Sequence, residues 1–182
     1  MAVAQAKTVV SNVSSKTKKS VVEWTLRDAE GKTIRVHKEK VFVPAGSEKE
    51  LTWDINLTNP HLWNGMADPY LYTVAVTVGK DTAETEVGFR YFRMDPEKGF
   101  FLNGKSYPLR GVAMHQDLFE KATALDKSDF DRDYAIVREL GCNFLRLAHY
   151  PHNDYAFRLC DRMGIVVQTE IPWVNNCGTE IS

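Results

Sequence analysis

Apolar and polar residues follow two different rhythms along this chain. Through residues 7–94 apolar side chains recur at every second position in short runs. Val21-Val22-Glu23-Trp24-Thr25-Leu26 and Leu51-Thr52-Trp53-Asp54-Ile55-Asn56-Leu57 show it clearly. That is the period of a strand with one buried face. Lys7 to Val13 opens the series, Thr33-Ile34-Arg35-Val36 and Val41-Phe42-Val43 follow, and Tyr70 to Val78 is the longest run. Asp28-Ala29-Glu30-Gly31-Lys32, Pro44-Ala45-Gly46-Ser47 and Gly79-Lys80-Asp81 separate the runs as turns, the last leading into Thr82 to Phe89. Some seven short strands with no helical period, on the order found in such domains, predict an immunoglobulin-like antiparallel β-sandwich. We assign it to residues 1–95. The Cys-Trp-Cys signature of true immunoglobulin domains is missing, so the likeness is one of architecture.

From residue 96 the pattern changes. Gly99 to Leu109 reads as a small hairpin turning on Asn103-Gly104, a strong short turn signal. Three apolar strands follow: Arg110 to His115, Asn143 to His149 and Ile165 to Ile171. A helix beginning near Ser128, capped by Ser128 or Asp126, separates the first two; it is expected to bury Phe130, Tyr134, Val137 and Leu140 and to end at Gly141. A second helix, Asp154 to Met163, is expected to turn Tyr155, Leu159 and Cys160 inward and to stop at Gly164. Strand, helix, strand, helix, strand at this pitch is a parallel βαβαβ unit. No glycine-rich phosphate loop follows the first strand, which argues against a dinucleotide fold.

Composition narrows the function classes. With 182 residues, 43% apolar and 26% charged, the chain has room for one domain and part of another. A net charge of -1 offers no basic excess for nucleic acid, and Lys16 to Lys19 reads as a solvated turn. No apolar run approaches the roughly 20 residues needed to cross a bilayer. Met1 to Lys7 lacks the charged start and apolar core of a signal peptide, so location is left open between cytoplasm and periplasm. Cys142, Cys160 and Cys177 are odd in number and not closely paired, against a disulfide framework or zinc site. Cys142 and Cys160 read as core thiols. Asn12-Val13-Ser14 and Asn56-Leu57-Thr58 match a glycosylation pattern that is common by chance. Trp24, Trp53 and Trp63 sit in contexts that suggest core, rather than the exposed aromatic platform of a non-catalytic carbohydrate-binding module.

The polar residues at the strand ends carry the chemistry. The three apolar strands end in or beside His115, His149 and Glu170. Each alone is an ordinary loop residue; three at the same end of successive parallel strands point to a shared pocket, since barrel enzymes build their sites there. Arg146, inside the second strand, calls for an anionic partner, whether it serves a substrate site or only a structural ion pair. His115-Gln116-Asp117 and His149-Tyr150-Pro151-His152 fit no standard zinc spacing. No metal or cofactor is expected.

The stretch Asn143-Phe144-Leu145-Arg146-Leu147-Ala148-His149-Tyr150-Pro151, with Leu159-Cys160-Asp161-Arg162-Met163-Gly164-Ile165-Val166-Val167, resembles the signature of glycoside hydrolase family 2. Leu147 departs from it, standing where a small residue is usual. Asn59 to Trp63, Asp68 to Tyr72 and Val87 to Arg90 resemble the family's sandwich domain, and Leu102 to Lys105 with Arg110 to His115 resemble the entry to its (β/α)8 barrel. The resemblance implies that residues 96–182 are the first three strands and two helices of a TIM barrel and that the parent cleaves β-glycosides by a retaining mechanism, most closely as a β-galactosidase, with β-glucuronidase and β-mannosidase as alternatives. It implies that His115 and His149 bind sugar hydroxyls, that Arg146 holds the nucleophilic carboxylate, and that Asp117 and Glu170 line the pocket rim. The two catalytic glutamates are expected beyond Ser182, so this chain itself is expected to be inactive. Three strands cannot close a barrel of eight, and an open apolar edge invites pairing. Residues 96–182 are therefore expected to be stable only by packing on the sandwich, by self-association through that edge with another copy, or by crystal contacts; size-exclusion chromatography at micromolar concentration tests this, and a sharp monomer peak would count against it.

Overall fold

The computed structural model describes residues 1–172; Trp173 and Cys177 lie outside the described residues. The chain divides into two compact units, Met1–Leu62 with Tyr70–Phe89, and Trp63–Pro69 with Arg90 onward.

The first unit has six strands: β1 (Ala2–Asn12), β2 (Lys18–Arg27), β3 (Thr33–Val43), β4 (Ser47–Leu57), β5 (Tyr72–Val78) and β6 (Asp81–Val87). β1 and β4 form one antiparallel sheet, and β3-β2-β5-β6 form the other. The alternating positions Val22, Trp24 and Leu26 of β2 and Leu51, Trp53, Ile55 and Leu57 of β4 meet in one core with Val41, Val43, Tyr72, Val74 and Phe89. This is the sandwich the period predicted. β1 begins at Ala2, earlier than expected, because Ala2, Ala4 and Ala6 supply its inward face and alanine is a weak strand signal. β3 is one continuous strand where two short runs were expected. Its middle, His37 to Lys40, is polar yet paired throughout with β2, and Lys38 meets Glu23 across the register at 2.6 Å. Asn12 is buried, with its amide donating to the carbonyls of Lys16, Val43 and Pro44, which leaves no donor for a glycan.

The second unit opens with the short antiparallel sheet β7 (Phe92–Asp95), β8 (Gly99–Leu102) and β9 (Lys105–Ser106). β7 falls inside the 1–95 bounds expected for the sandwich, yet it pairs with β8 here; the seven expected sandwich runs become six strands because two of them join in β3. The β8–β9 turn is Asn103-Gly104, both at positive φ (51° and 80°), as a two-residue hairpin of this twist requires. Then follow β10 (Gly111–Met114), α1 (Lys127–Glu139), β11 (Phe144–Leu147), α2 (Asp154–Met163) and β12 (Val166–Thr169), with the strands parallel in the order β10-β11-β12. This is the opening of a TIM barrel. Asp126 is the α1 cap: it accepts from the backbone N–H groups of Ser128 and Asp129, and Asp129 returns a bond to the Asp126 backbone. Phe130, Tyr134 and Val137 are buried with Leu145, Leu147, Ala156 and Cys160. Leu140 is 65% exposed, contrary to expectation, because it caps the helix C-terminus past the last inward turn. Cys142 and Cys160 are buried free thiols.

Trp63 anchors the segment 63–69 in this unit. Its indole N–H donates to the Asp161 carbonyl at 2.7 Å, and the Arg90 guanidinium lies 4.6 Å from its ring. Gly164, the left-handed C-cap of α2 at φ 77°, meets the same segment. A methyl group there would run into the Gly65 carbonyl. Gly164→Ala therefore combines a left-handed backbone with a backbone clash and should lower stability by about 2 kcal/mol or more, read as an earlier urea midpoint for the chain.

Candidate active site at the strand tips

Parallel pairing keeps the three strands level. Gly111, Phe144 and Val166 stand side by side, and three residues on so do Met114, Leu147 and Thr169. Leu145 and Leu147 are fully buried against the helices. Period two then sends Arg146 to the opposite face, in register with Ala113 and Gln168. His115 and Glu170 continue that face one step beyond their strands. Ala148 N–H donates to the Met114 carbonyl at 3.0 Å, so β11 stays tied to β10 where the turn begins. The Ala148–His149 peptide is cis.

Four of the five residues singled out from the sequence meet here. Arg146 Nε donates to Glu170 Oε1 at 2.6 Å, and His149 Nδ1 lies 2.9 Å from Glu170 Oε2. The His115 and His149 rings are 5.2 Å apart at 69°. Asp117 is exposed and makes no hydrogen bond or ion pair among the described residues. Glu170 is the anionic partner Arg146 calls for, and although a place inside the strand implies a buried guanidinium, the Arg146 side chain is 43% exposed and that of Glu170 20%.

The electrostatics follow from this geometry. The Arg146 guanidinium first, and His149 second, hold the Glu170 carboxyl below the usual glutamate range. A carboxylate only accepts, so Nδ1 of His149 carries the proton between them and Nε2 is left as the ring's open position. Both Glu170 oxygens are engaged, which makes it a holder of neighbouring groups. The loop after β10 is pinned separately: Lys121 Nζ sits 2.7 Å from Asp129 and 3.2 Å from Asp126. The Ser128 hydroxyl, then Lys121, draw the Asp126 carboxyl down to about 2. Among the described residues no group of three or more His, Cys, Asp or Glu side chains is arranged to hold a metal ion. Gln116 and Tyr150 enter the sequence reading only as members of the His115-Gln116-Asp117 and His149-Tyr150-Pro151-His152 runs, with no role of their own; adjacency to the two histidines is the only sign of one.

Sequence models of the glycosyl hydrolases family 2 match residues 2–90, and those of the family's TIM barrel domain match residues 95–180. The chain belongs to glycosyl hydrolase family 2. A β-glucuronidase of Bacteroides fragilis is 38% identical over 173 residues, covering 92% of this chain and 25% of the relative. A β-galactosidase of Bacteroides ovatus is 35% identical over 174 residues, covering 93% and 20%. The crystal structure of a Bacteroides uniformis β-glucuronidase superposes with a TM-score of 0.89 at 30% identity, covering 97% of this chain and 22% of that one. The chain thus spans about a quarter or less of the length of these family 2 relatives.

The Glu170 pairing has a defined pH sign. Its folded pKa is depressed, so the stabilisation is present above the ordinary glutamate pKa and is lost as pH falls through the lower folded value. A carboxyl ¹³C titration should place the Glu170 midpoint below that of an exposed glutamate. Arg146→Gln should raise it more than His149→Phe does; an unmoved midpoint in both variants would refute the pairing.

Proposed function

We propose that this chain is part of a retaining β-glycosidase and that the tips of β10, β11 and β12 form one wall of its sugar site. The observation that carries this is the convergence of His115, His149, Arg146 and Glu170 at the same end of three level parallel strands, where barrel enzymes place their chemistry. His149, fixed by Glu170 through Nδ1, offers Nε2 to a sugar hydroxyl, and His115 beside it offers a second contact. Arg146 bonds Glu170 through Nε; the rest of its guanidinium serves to orient and keep ionised the nucleophilic carboxylate. Asp117 lines the rim. Retention requires a nucleophile and an acid/base carboxyl roughly 5–5.5 Å apart. Glu170, with both oxygens held and Thr169 before it rather than Asn, fits neither role, so both are supplied from outside these three strand tips.

The favoured substrate is a β-galactoside, on the His115-Gln116-Asp117 and Glu170-Ile171-Pro172-Trp173 runs, of which Trp173 lies outside the described residues. A β-glucuronide is the second reading, favoured by the 38% identical relative named β-glucuronidase. The test is turnover of 4-nitrophenyl β-galactoside, β-glucuronide and β-mannoside by the full protein that contains this chain, beside the 182-residue chain. The full protein should cleave the galactoside most readily, and the chain alone none. His149→Ala in the full protein should lower kcat/KM by about 10-fold, the scale of a lost hydrogen bond. Turnover by the chain alone, or inertness of the full protein toward all three glycosides, would sink the reading.

A further inference from the structure

Two loops carry the paired histidines. His115 leads into the loop after β10, and His149 opens the turn between β11 and α2. Nothing in the strand ladder beyond Ala148 fixes one loop to the other, yet the two rings stand 5.2 Å apart. The link lies in the residues next to them. The Gln116 backbone N–H donates to the Tyr150 hydroxyl at 3.2 Å, and the Gln116 side-chain carbonyl accepts from the Asn153 backbone N–H at 2.5 Å. Asn153 caps α2, its side-chain oxygen Oδ1 accepting from Tyr155 N–H at 2.8 Å, so Gln116 is tied to a helix start. The Tyr150 ring stacks on His152 (5.2 Å, 22°) and tilts against His115 (6.2 Å, 50°). His152 is buried, and its Nε2 lies 3.0 Å from the Ala148 carbonyl. A carbonyl only accepts, so Nε2 carries the proton there. The turn is thereby closed on itself around His149.

We infer that Gln116, Tyr150 and His152 are positioning residues that brace the loop after β10 to the loop after β11, so that His115 and His149 meet the sugar as one preformed pair. The inference rests on the glycosidase reading above. None of the three needs to touch the substrate. Each holds backbone on which a substrate-binding ring is mounted, and displacement of about 1 Å in such a ring is enough to cost much of its contribution. Gln116 acts through an acceptor atom at the reach of a five-atom side chain. Glutamate keeps both the reach and the acceptor, whereas methionine keeps the reach alone.

The test uses Gln116→Met, Gln116→Glu and Tyr150→Phe in the full protein, with His imidazole ¹H–¹⁵N spectra of the 182-residue chain as an activity-free readout. Gln116→Met and Tyr150→Phe should each lower kcat/KM about fivefold to tenfold, mostly through KM, the scale of one lost hydrogen bond, and Gln116→Glu should stay within about twofold of wild type. In the spectra, recorded at about pH 8, His149 should show the Nδ1-protonated form and His152 the Nε2-protonated form. In Gln116→Met and Tyr150→Phe the His149 signals should spread into a mixture of tautomers while thermal melting stays within a few degrees. Unchanged kinetics and spectra in both variants would overturn the brace, as would Gln116→Glu falling as far as Gln116→Met. If the wild-type full protein cleaves no aryl β-glycoside, the functional reading fails, and the imidazole spectra still decide the brace on their own.

Discussion

The level parallel register of β10, β11 and β12 is the constraint from which the site follows. Each backbone ladder step sets three residues side by side, and the sheet ends after Met114, Leu147 and Thr169 together. Had β12 slipped by one residue, its side-chain set would have turned to the other face, and Glu170 would no longer lie beside Arg146. What holds the register is burial on the helix side. Leu145 and Leu147 have no exposed surface, packed with Phe130, Tyr134, Val137, Ala156 and Cys160. Leucines fixed on one face oblige Arg146 to occupy the other.

Charge then completes what register begins. A guanidinium and an imidazole brought to one face of a sheet require an acceptor that can serve both, and Glu170 has two oxygens for two donors. The carboxylate orients the imidazole through Nδ1 and thereby decides which nitrogen is left for other work. The arrangement resembles the way a carboxylate sets the tautomer of a catalytic or metal-binding histidine, although here the ring is readied for hydrogen bonding. Because the pair is partly exposed, its value lies in geometry more than in stability.

Much of this was legible in one sequence because it depends on local rules. Alternation marked the sandwich strands, Asn103-Gly104 marked its hairpin, and Gly164 marked the end of α2. His115, His149 and Glu170 stood out because each closes an apolar run, and Arg146 because a charge inside such a run needs a partner. The misses are equally local. The start of β1 is faint in the pattern because alternating alanines carry little hydrophobic signal, and β3 reads as two runs because His37 to Lys40 is polar on both faces. Leu140 kept the helical spacing but lay one turn too far to reach the core. What sequence did not offer was pairing across distance. Arg146 asked for a carboxylate without naming Glu170, and Gln116 and Tyr150, which touch, stand 34 residues apart in the chain.

That separation explains how the site is built in layers. Strand register places backbone to within a residue, and any (β/α)8 barrel has it. The side chains at the tips sit past the last ladder bond, where register no longer holds them. Precision there must come from bonds between loops, and the residues best placed to make them are the immediate neighbours of the tip residues, since a neighbour moves with the backbone it shares. Gln116 beside His115 and Tyr150 beside His149 meet that condition, while Asp117, one step further along, makes no such bond. Glu170 meets it differently, by gripping the side chains themselves. A carboxylate held at both oxygens and drawn below its usual pKa is a poor proton donor and a hindered nucleophile, so what this geometry gives Glu170 to do is to hold Arg146 and His149 in position.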